Sequence, residues 1–466
     1  MLIPAPGLPL LTPDEMRAAE AAAISGGVPA LRLMERAAAA AALAILRYAP
    51  GREALVLCGP GNNGGDGYGV ALQMQAAGVR VRVAASGPTL AEPAATVAAR
   101  WTGPVEDLAT AAPAPLIVDA LYGTGLIRPL DSATQAALDR LRDVGATVVA
   151  LDIPSGVDGA TGAALGRPLP AALTVTFAAM KRGHALGAGR QLAGRVVIAD
   201  IGIAVSATAR LVQPPGLALA PDTHKFRRGA VLVVRGAASG AARLAALAAL
   251  RAGAGLVTLV GPNAGVPADA VMQRDDAGGL VLLGDPRLGA IAIGPGLVDD
   301  QRSRDWLLRA LTGEAPVVAD AGALALAIGP PDAAALFAGA RAPLVLTPHE
   351  GEFTRLFGPP GSDRIAAVQA AAIVANAVVL LKGAETIIAA PDGRVAVNIH
   401  AAPWLATAGS GDVLTGIIAA LLASGLSPFD AAQVGAWLHG DAGIRGGAGL
   451  MADDIPALLP AALGDL

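Results

Sequence analysis

The chain is poor in cysteine, lysine, asparagine and aromatic residues, and each shortage excludes something. Cys58 is the only cysteine, so neither an intramolecular disulfide nor a cysteine-rich metal centre can form, and a cytoplasmic location is expected. Aromatic residues make up 3% of the 466 residues, no basic block occurs, and the formal net charge is −4. Nucleic acid and anionic membranes are therefore not expected as partners. The apolar runs are interrupted by charge, as by Arg235, Arg243 and Arg251, and Val413–Leu422 is too short to span a bilayer. Met1–Leu11 is proline-rich, without a positive stretch or a continuous apolar core, unlike a secretory leader. Only three of the 34 basic residues are lysines, Lys181, Lys225 and Lys382, and two of the five asparagines are adjacent, Asn62 and Asn63. A lysine retained against so much arginine marks a position that wants a compact point charge.

Short β-branched runs alternate throughout with alanine-rich amphipathic stretches. Ala54–Leu57, Arg80–Ala84, Leu116–Asp119, Thr147–Asp152, Leu173–Phe177 and Arg195–Ile198 read as strands in the first half. Ala230–Val234, Leu256–Val260, Ala290–Ile293, Pro316–Ala319, Pro343–Leu346, Val378–Leu381 and Thr386–Ala389 do so in the second. Apolar strands separated by helical patterns predict an α/β protein whose mainly parallel sheets are sandwiched by helices. The length calls for two or three domains. The rhythm breaks at Gln213-Pro-Pro-Gly-Leu, so a linker is placed at 206–221, between domains at 11–205 and 222–466.

Three strand ends in the first domain carry polar residues. Cys58-Gly-Pro-Gly-Asn-Asn-Gly-Gly-Asp-Gly-Tyr-Gly reads as a glycine-rich loop holding Asn62, Asn63 and Asp66. Gly59, Gly61 and Gly64 satisfy a dinucleotide-binding spacing, but the next strand end, Val83-Ala-Ala-Ser-Gly, lacks the acidic residue that would bind ribose. Asp119, before the Gly123–Gly125 turn, and Asp152 with Ser155 end two further strands. Each aspartate alone reads equally as a helix cap. Together they supply hard oxygen donors, suited to a simple cation, at one end of a parallel sheet.

In the second domain, Ala408-Gly-Ser-Gly-Asp-Val-Leu-Thr-Gly turns tightly into an apolar helix. Backbone N–H groups at that helix start suit a phosphate, and Asp412 stands beside them to take a proton from a hydroxyl. Lys382, at a strand end and followed by Gly383, can lie near phosphates. Pro348 restricts Thr347 to extended backbone, so that His349 aims into the crevice. No GxxxxGK[ST] string occurs, which excludes a P-loop.

These strings carry a resemblance. Cys58–Gly69, Asp119–Gly125, Leu151–Gly162 and Ala178-Ala-Met-Lys-Arg-Gly-His resemble the NAD(P)H-hydrate epimerase domain, with a Rossmann-like fold. Residues 222–466 resemble the NAD(P)H-hydrate dehydratase domain of the ribokinase-like superfamily. The match there rests on Thr223-His-Lys-Phe-Arg-Arg-Gly, Ile293-Gly-Pro-Gly-Leu, Leu346-Thr-Pro-His-Glu-Gly-Glu-Phe, Leu381-Lys-Gly-Ala-Glu-Thr and the glycine-serine-glycine-aspartate turn.

The resemblance implies that Asn62, Asn63, Gly64, Gly65, Asp66, Gly123, Thr124, Gly125, Leu126, Ile127, Arg128, Pro129 and Asp152 bind the hydrated dinucleotide in the first domain. Asn63, Asp119 and Ser155 would hold K⁺, and Asp152 would move the proton. In the second domain Ala241, Gly296, His349 and Asp412 would meet the same substrate. Lys382, Gly383, Ala384, Glu385, Thr386 and Gly411 would hold ADP or ATP with Mg²⁺. The chain departs from the family pattern at Gly322, where a second aspartate is usual, and in a shortened loop at 235–241.

The implied activity is bifunctional cofactor repair. One domain would interconvert the epimers of NADHX and NADPHX, and the other would dehydrate the S form at the expense of the nucleotide. A homo-oligomer is expected. A true kinase with a fused ligand-binding domain predicts instead a stable phosphorylated product, and a nucleotide sensor predicts binding without turnover.

Overall fold

The computed structural model describes residues 5–214, 216, 223–262, 265–327 and 333–465. Of the expected linker, residues 215 and 217–221 lie outside the described residues. The chain divides into two compact units, Met1–Arg210 and Leu211–Leu466.

The first unit is built on a seven-stranded sheet: β1 (Ala54–Cys58), β2 (Val81–Ala85), β3 (Val105–Asp107), β4 (Leu116–Ala120), β5 (Thr147–Leu151), β6 (Leu173–Phe177) and β7 (Arg195–Ala199). They pair in parallel in the order β3-β2-β1-β4-β5-β6-β7. The two-residue period of a strand divides the side chains between two cores. Val56, Val118, Val149 and Leu151 pack with Ala37, Ala41 and Ile45 of helix α1 (Ala30–Tyr48). Leu55, Leu57, Ile117 and Ala150 pack with Leu138 and Leu141 of a later helix, Ser132–Arg142. Chain order reverses between β1 and β4, which opens a crevice at their C-terminal ends, where open α/β sheets bind ligands.

Helix α2 (Asn62–Ala76) begins inside the stretch that reads as a glycine-rich loop. Its glycines serve close packing. A Cβ on Gly64 would lie 1.8 Å from the Gly59 carbonyl oxygen, and one on Gly67 2.6 Å from the Ala120 Cβ. Helix and sheet thus meet at backbone distance, and the polar residues Asn62, Asn63 and Asp66 ride on the first turns of α2.

The second unit contains β8 (Ala230–Val234), β9 (Leu256–Val260), β10 (Val271–Arg274), β11 (Leu288–Ile293), β12 (Val317–Ala319), β13 (Leu344–Leu346), β14 (Val378–Leu381), β15 (Thr386–Ala389) and β16 (Val395–Asn398). Their order is β10-β9-β8-β11-β12-β13-β14-β15-β16. All neighbours are parallel up to β14, after which β15 and β16 turn back antiparallel. The reversal of chain order falls between β8 and β11. Helix α3 (Ser239–Arg251) and helix α4 (Ser410–Ala423) cross so closely that a Cβ on Gly416 would lie 2.0 Å from the Ala245 carbonyl oxygen. Ala245, Ala249, Ile417, Ile418 and Leu421 share one core with Val231, Val233 and Leu259. Small side chains permit this spacing, which explains the alanine content of α3. Among the described residues, no helix is long and apolar enough to cross a membrane.

Candidate functional sites

In the first unit the strand ends carry a buried polar network. Asp119 is fully buried on β4. Its Oδ2 accepts the Ser155 N–H at 2.8 Å, and its Oδ1 accepts the Ser155 hydroxyl at 2.6 Å. Burial pushes the Asp119 pKa up despite these bonds. The Ser155 Oγ in turn accepts the Tyr122 N–H at 2.8 Å, which fixes the start of the Gly123–Pro129 turn.

Asp152 follows β5 with φ +63°, a left-handed conformation that aspartate tolerates better than most residues. Its Oδ1 lies 2.7 Å from the Lys181 ammonium, and its Oδ2 accepts the Thr124 N–H at 2.8 Å. The Lys181 Nζ also donates to the Thr176 Oγ1 at 2.9 Å and the Phe177 carbonyl at 3.0 Å, so all three of its protons have acceptors. Burial by itself would raise the Asp152 pKa, but the charge and hydrogen bond of Lys181, with the Thr124 N–H, hold it below the usual value.

His184 closes the cluster. Its Nδ1 accepts the Lys181 N–H at 2.9 Å, and its Nε2 lies 2.7 Å from the Asp152 carbonyl, which it therefore meets as the N–H donor. Burial, with the Lys181 charge, pushes the imidazole pKa down to about 4, so the ring is neutral.

Gly123 joins the two halves of this site. A Cβ there would lie 2.9 Å from the Asp152 Oδ2 and 3.4 Å from the Asn63 Oδ1. Asn63 and Asp152 therefore face each other across the turn. The Asn63 Oδ1 and Nδ2 and the Thr124 Oγ1 are buried with no hydrogen-bond partner. Such atoms are costly unless something binds them. Asp66 stands in the same field: burial, then the charges of Asp152 and Glu20, raise its pKa well above normal. Gly125, Ile127, Arg128 and Pro129 are exposed along the outer turn.

In the second unit, three successive parallel strands deliver Asp320, His349 and Lys382. Asp320, just past β12, is 1% exposed. Its Oδ1 lies 2.7 Å from the Lys382 Nζ, and its Oδ2 accepts the Thr415 hydroxyl of α4 at 2.9 Å. A Cβ on Gly411 would sit 3.3 Å from the Lys382 Nζ, so the lysine lies against the first turn of α4. Asp412 occupies that turn. Burial, then repulsion from Asp320, raises its pKa to about 6, against the pull of Lys382.

Ala241 and Gly296, two of the remaining expected residues, lie on segments that are tied together beside α4. The Ala238 N–H donates to the Gly296 carbonyl at 3.2 Å, which ties the start of α3, with Ala241, to the turn after β11. A Cβ on Gly409, at φ +88°, would touch the Leu244 Cδ1 of α3 at 2.7 Å and approach the Asp412 Oδ2 at 3.9 Å.

His349 differs from expectation. Its Nδ1 caps helix α5 (Glu350–Phe357) by accepting the Gly351 N–H at 3.0 Å, and its Nε2 lies 3.5 Å from the Glu352 Oε1. The imidazole is turned toward the helix start, although backbone pairing still places His349 beside Lys382. Glu385 is also engaged, 3.9 Å from the Arg364 Nε.

Gly322 has a steric reason. A Cβ there would lie 2.4 Å from the Leu297 carbonyl oxygen, so a larger residue would displace the turn that carries Gly296.

Sequence reasoning passed over several supporting residues: Glu20, Thr176, His184, Arg364, Thr415 and His439. His184 and Thr415 lie inside strings already singled out. Glu20, Arg364 and His439 sit far along the chain from their partners, and Thr176, five residues before Lys181, is one polar residue in an apolar strand and carries no local signal. Of the three lysines, Lys181 and Lys382 enter ion pairs with aspartates, whereas Lys225 lies exposed, its Nζ 5.1 Å from the Phe226 ring centroid.

Comparison with known proteins agrees with this division. Residues 30–183 match the family described as YjeF-related protein N-terminus, and residues 231–456 match the NAD(P)H-hydrate dehydratase family. The bifunctional NAD(P)H-hydrate repair enzyme Nnr of Salinibacter ruber is 37% identical, over 97% of this chain and 95% of its own. The enzyme of the same name from Moorella thermoacetica is 36% identical, over 94% and 93%. A solved ADP/ATP-dependent NAD(P)H-hydrate dehydratase from Bacillus subtilis is 30% identical over 53% of this chain and 93% of its own, with a TM-score of 0.46. Matched in both halves and over nearly its whole length, the chain belongs to the family of bifunctional NAD(P)H-hydrate repair enzymes.

Proposed function

We propose that the chain repairs hydrated nicotinamide dinucleotides in two steps, one in each unit, with residues 11–205 as the epimerase domain and 222–466 as the dehydratase domain. The observation that carries the reading is the Asp412 carboxylate. It stands at the start of α4, with no ion pair among the described residues and its pKa raised to about 6 beside the Asp320–Lys382 pair. A base poised near neutrality is what deprotonation of a ring hydroxyl requires.

Asp412 takes the proton of the C6 hydroxyl as its oxygen attacks the terminal phosphorus of the nucleotide. The P–O bond to the departing nucleotide breaks, and AMP leaves from ADP, or ADP from ATP. The phosphorylated oxygen then departs as phosphate, and loss of a ring proton restores the double bond of NADH or NADPH. Lys382 and the N–H groups of the first turn of α4 bear the developing charge. Both Asp320 oxygens are engaged by Lys382 and Thr415, and Mg²⁺ brought by the nucleotide would supply charge neutralisation at its phosphates.

In the first unit Asp152, held ionised by Lys181, accepts the C6 hydroxyl proton as the N1–C6 bond opens and the hydroxyl becomes a carbonyl, and returns it when N1 recloses on the other face, while Asn63, Thr124 and the Gly123–Pro129 turn hold the dinucleotide. The buried Asn63 Oδ1, without a hydrogen-bond partner among the described residues, offers K⁺ a free hard donor, and the Asp119 and Ser155 oxygens, engaged with each other, would add only their remaining lone pairs. The ion would fix Asn63 and the Tyr122–Gly123 turn against the substrate.

The test is an epimer mixture of NADHX given ADP or ATP with Mg²⁺ and K⁺, followed by dihydronicotinamide absorbance. Full recovery is expected. Asp412→Ala should abolish dehydration and spare epimerisation, and Asp152→Ala should do the reverse. A phosphorylated product that persists, or no recovery with either nucleotide, overturns the proposal.

A further inference from the structure

Behind the start of α4 lies a contact that the reaction as described does not use. Ser410, the first residue of the helix, is buried, and its Oγ lies 2.9 Å from the Nε2 of His439. His439 stands on helix α6 (Pro428–Gly446), which packs beside α4. Ser410 precedes Gly411, whose Cα faces the Lys382 ammonium, so its hydroxyl belongs to the turn that would meet a phosphate.

A hydroxyl next to a neutral imidazole has two arrangements. If Ser410 donates to Nε2, its oxygen presents only lone pairs to an incoming anion, which repels it. If Nε2–H donates to Oγ, the hydroxyl proton is free to point at the anion. Burial, reinforced by the Lys382 charge, pushes the His439 pKa down to about 4. The ring is thus neutral in the working range, and its tautomer decides which arrangement holds.

We propose that His439 is a positioning residue of the dehydratase site, whose Nε2–H donates to Ser410 and so commits the serine hydroxyl to donate to the transferring phosphoryl group. The inference rests on the proposed function and names one more part of that site. It makes the Ser410–His439 pair act as a unit, so that removing either member should cost the same.

The test uses the full chain. His439→Phe keeps the ring and loses the donor, and is expected to lower kcat for ADP-driven dehydration about tenfold, with KM for the dinucleotide little changed, the order of a single anion-hole donor or less. His439→Gln restores an N–H and should return kcat to within about threefold of the parent. Ser410→Ala should match His439→Phe, and the double variant should be no slower than either. Epimerisation by the same chain should be unchanged. Selective ¹⁵N labelling of the five histidines, with His439→Gln to assign the signal, should show the Nε2–H tautomer in the parent protein.

An equally slow His439→Gln with an unchanged melting transition, multiplicative losses in the double variant, or an Nδ1–H tautomer would each overturn the inference. Should His439→Phe fail to fold, Ser410→Ala and the tautomer decide. A parent chain that does not dehydrate at all would instead strike the proposed function, leaving the tautomer still readable.

Discussion

Each unit ends a parallel strand with a lysine–aspartate pair at 2.7 Å, Lys181–Asp152 in the first and Lys382–Asp320 in the second. The pairs are used differently. In the first unit the paired carboxylate is itself the proposed base, and Lys181 holds its pKa down. In the second the paired carboxylate is a support, with both oxygens occupied, and the proposed base is the neighbouring Asp412, raised to about 6. A strong base at a site needs freedom from its counter-ion, whereas an ionised anchor needs that counter-ion close. The same pair thus makes a weak, permanently charged base in one place and tunes a stronger one in the other.

The contrast is easiest to break at Lys181. Its side chain is 1% exposed, and Lys181→Met would leave Asp152 buried without its partner, at a cost of about 3–5 kcal/mol. The expected result is loss of epimerisation and an early melting transition for the first unit, with dehydration retained. Gly322→Asp should act on the other unit alone. Pushing side-chain atoms into the Leu297 carbonyl is expected to cost about 1–3 kcal/mol, read as a lower denaturation midpoint and a raised KM for the dinucleotide.

Acidity sharpens the comparison. Asp412 must be a carboxylate to accept a proton, so kcat for dehydration should fall as pH drops through about 6. Epimerisation should hold to lower pH, because the folded-state pKa of Asp152 is depressed. Asp320→Asn removes the negative charge that raises Asp412, so the acid limb of dehydration should move down. Lys382→Met removes the charge that lowers it, and the limb should move up. An acid limb unmoved by either would separate Asp412 from the pair.

The smallest effect is expected at Asn63. Its amide is buried without a partner, so Asn63→Ala should leave the melting temperature in K⁺-free buffer unchanged or slightly raised, since an unsatisfied polar group is removed. The same variant should lose any stabilisation that added K⁺ gives the parent.

Much of this was legible in the sequence. The β-branched runs read as strands recur as strands with ends shifted by at most two residues, because most are apolar stretches buried on both faces. The misses have physical reasons. Val105–Asp107 and Val271–Arg274 are edge strands with exposed residues and no clean period. Val395–Asn398 was signalled by the Pro391-Asp392-Gly393 turn before it, a hairpin cue that went unread. The Asn62–Asp66 stretch reads as a loop because helix propensity counts its glycines as breakers. They are helical because only hydrogen atoms fit between α2 and the strand ends.

Composition and motif order determined the α/β class, the two-part chain and the choice of Asp152, Asp412, Lys181 and Lys382 as the residues to watch. They could do so because rare residue types and tight-turn strings are local properties. What only the tertiary structure decided is which carboxylate each lysine takes, that the His349 imidazole caps a helix, and that His439 stands behind Ser410. The lysine pairs and the His439 contact join segments far apart in the chain, whereas His349 caps the helix that starts at the next residue; together they set which group is charged, which is poised and which merely holds another in place.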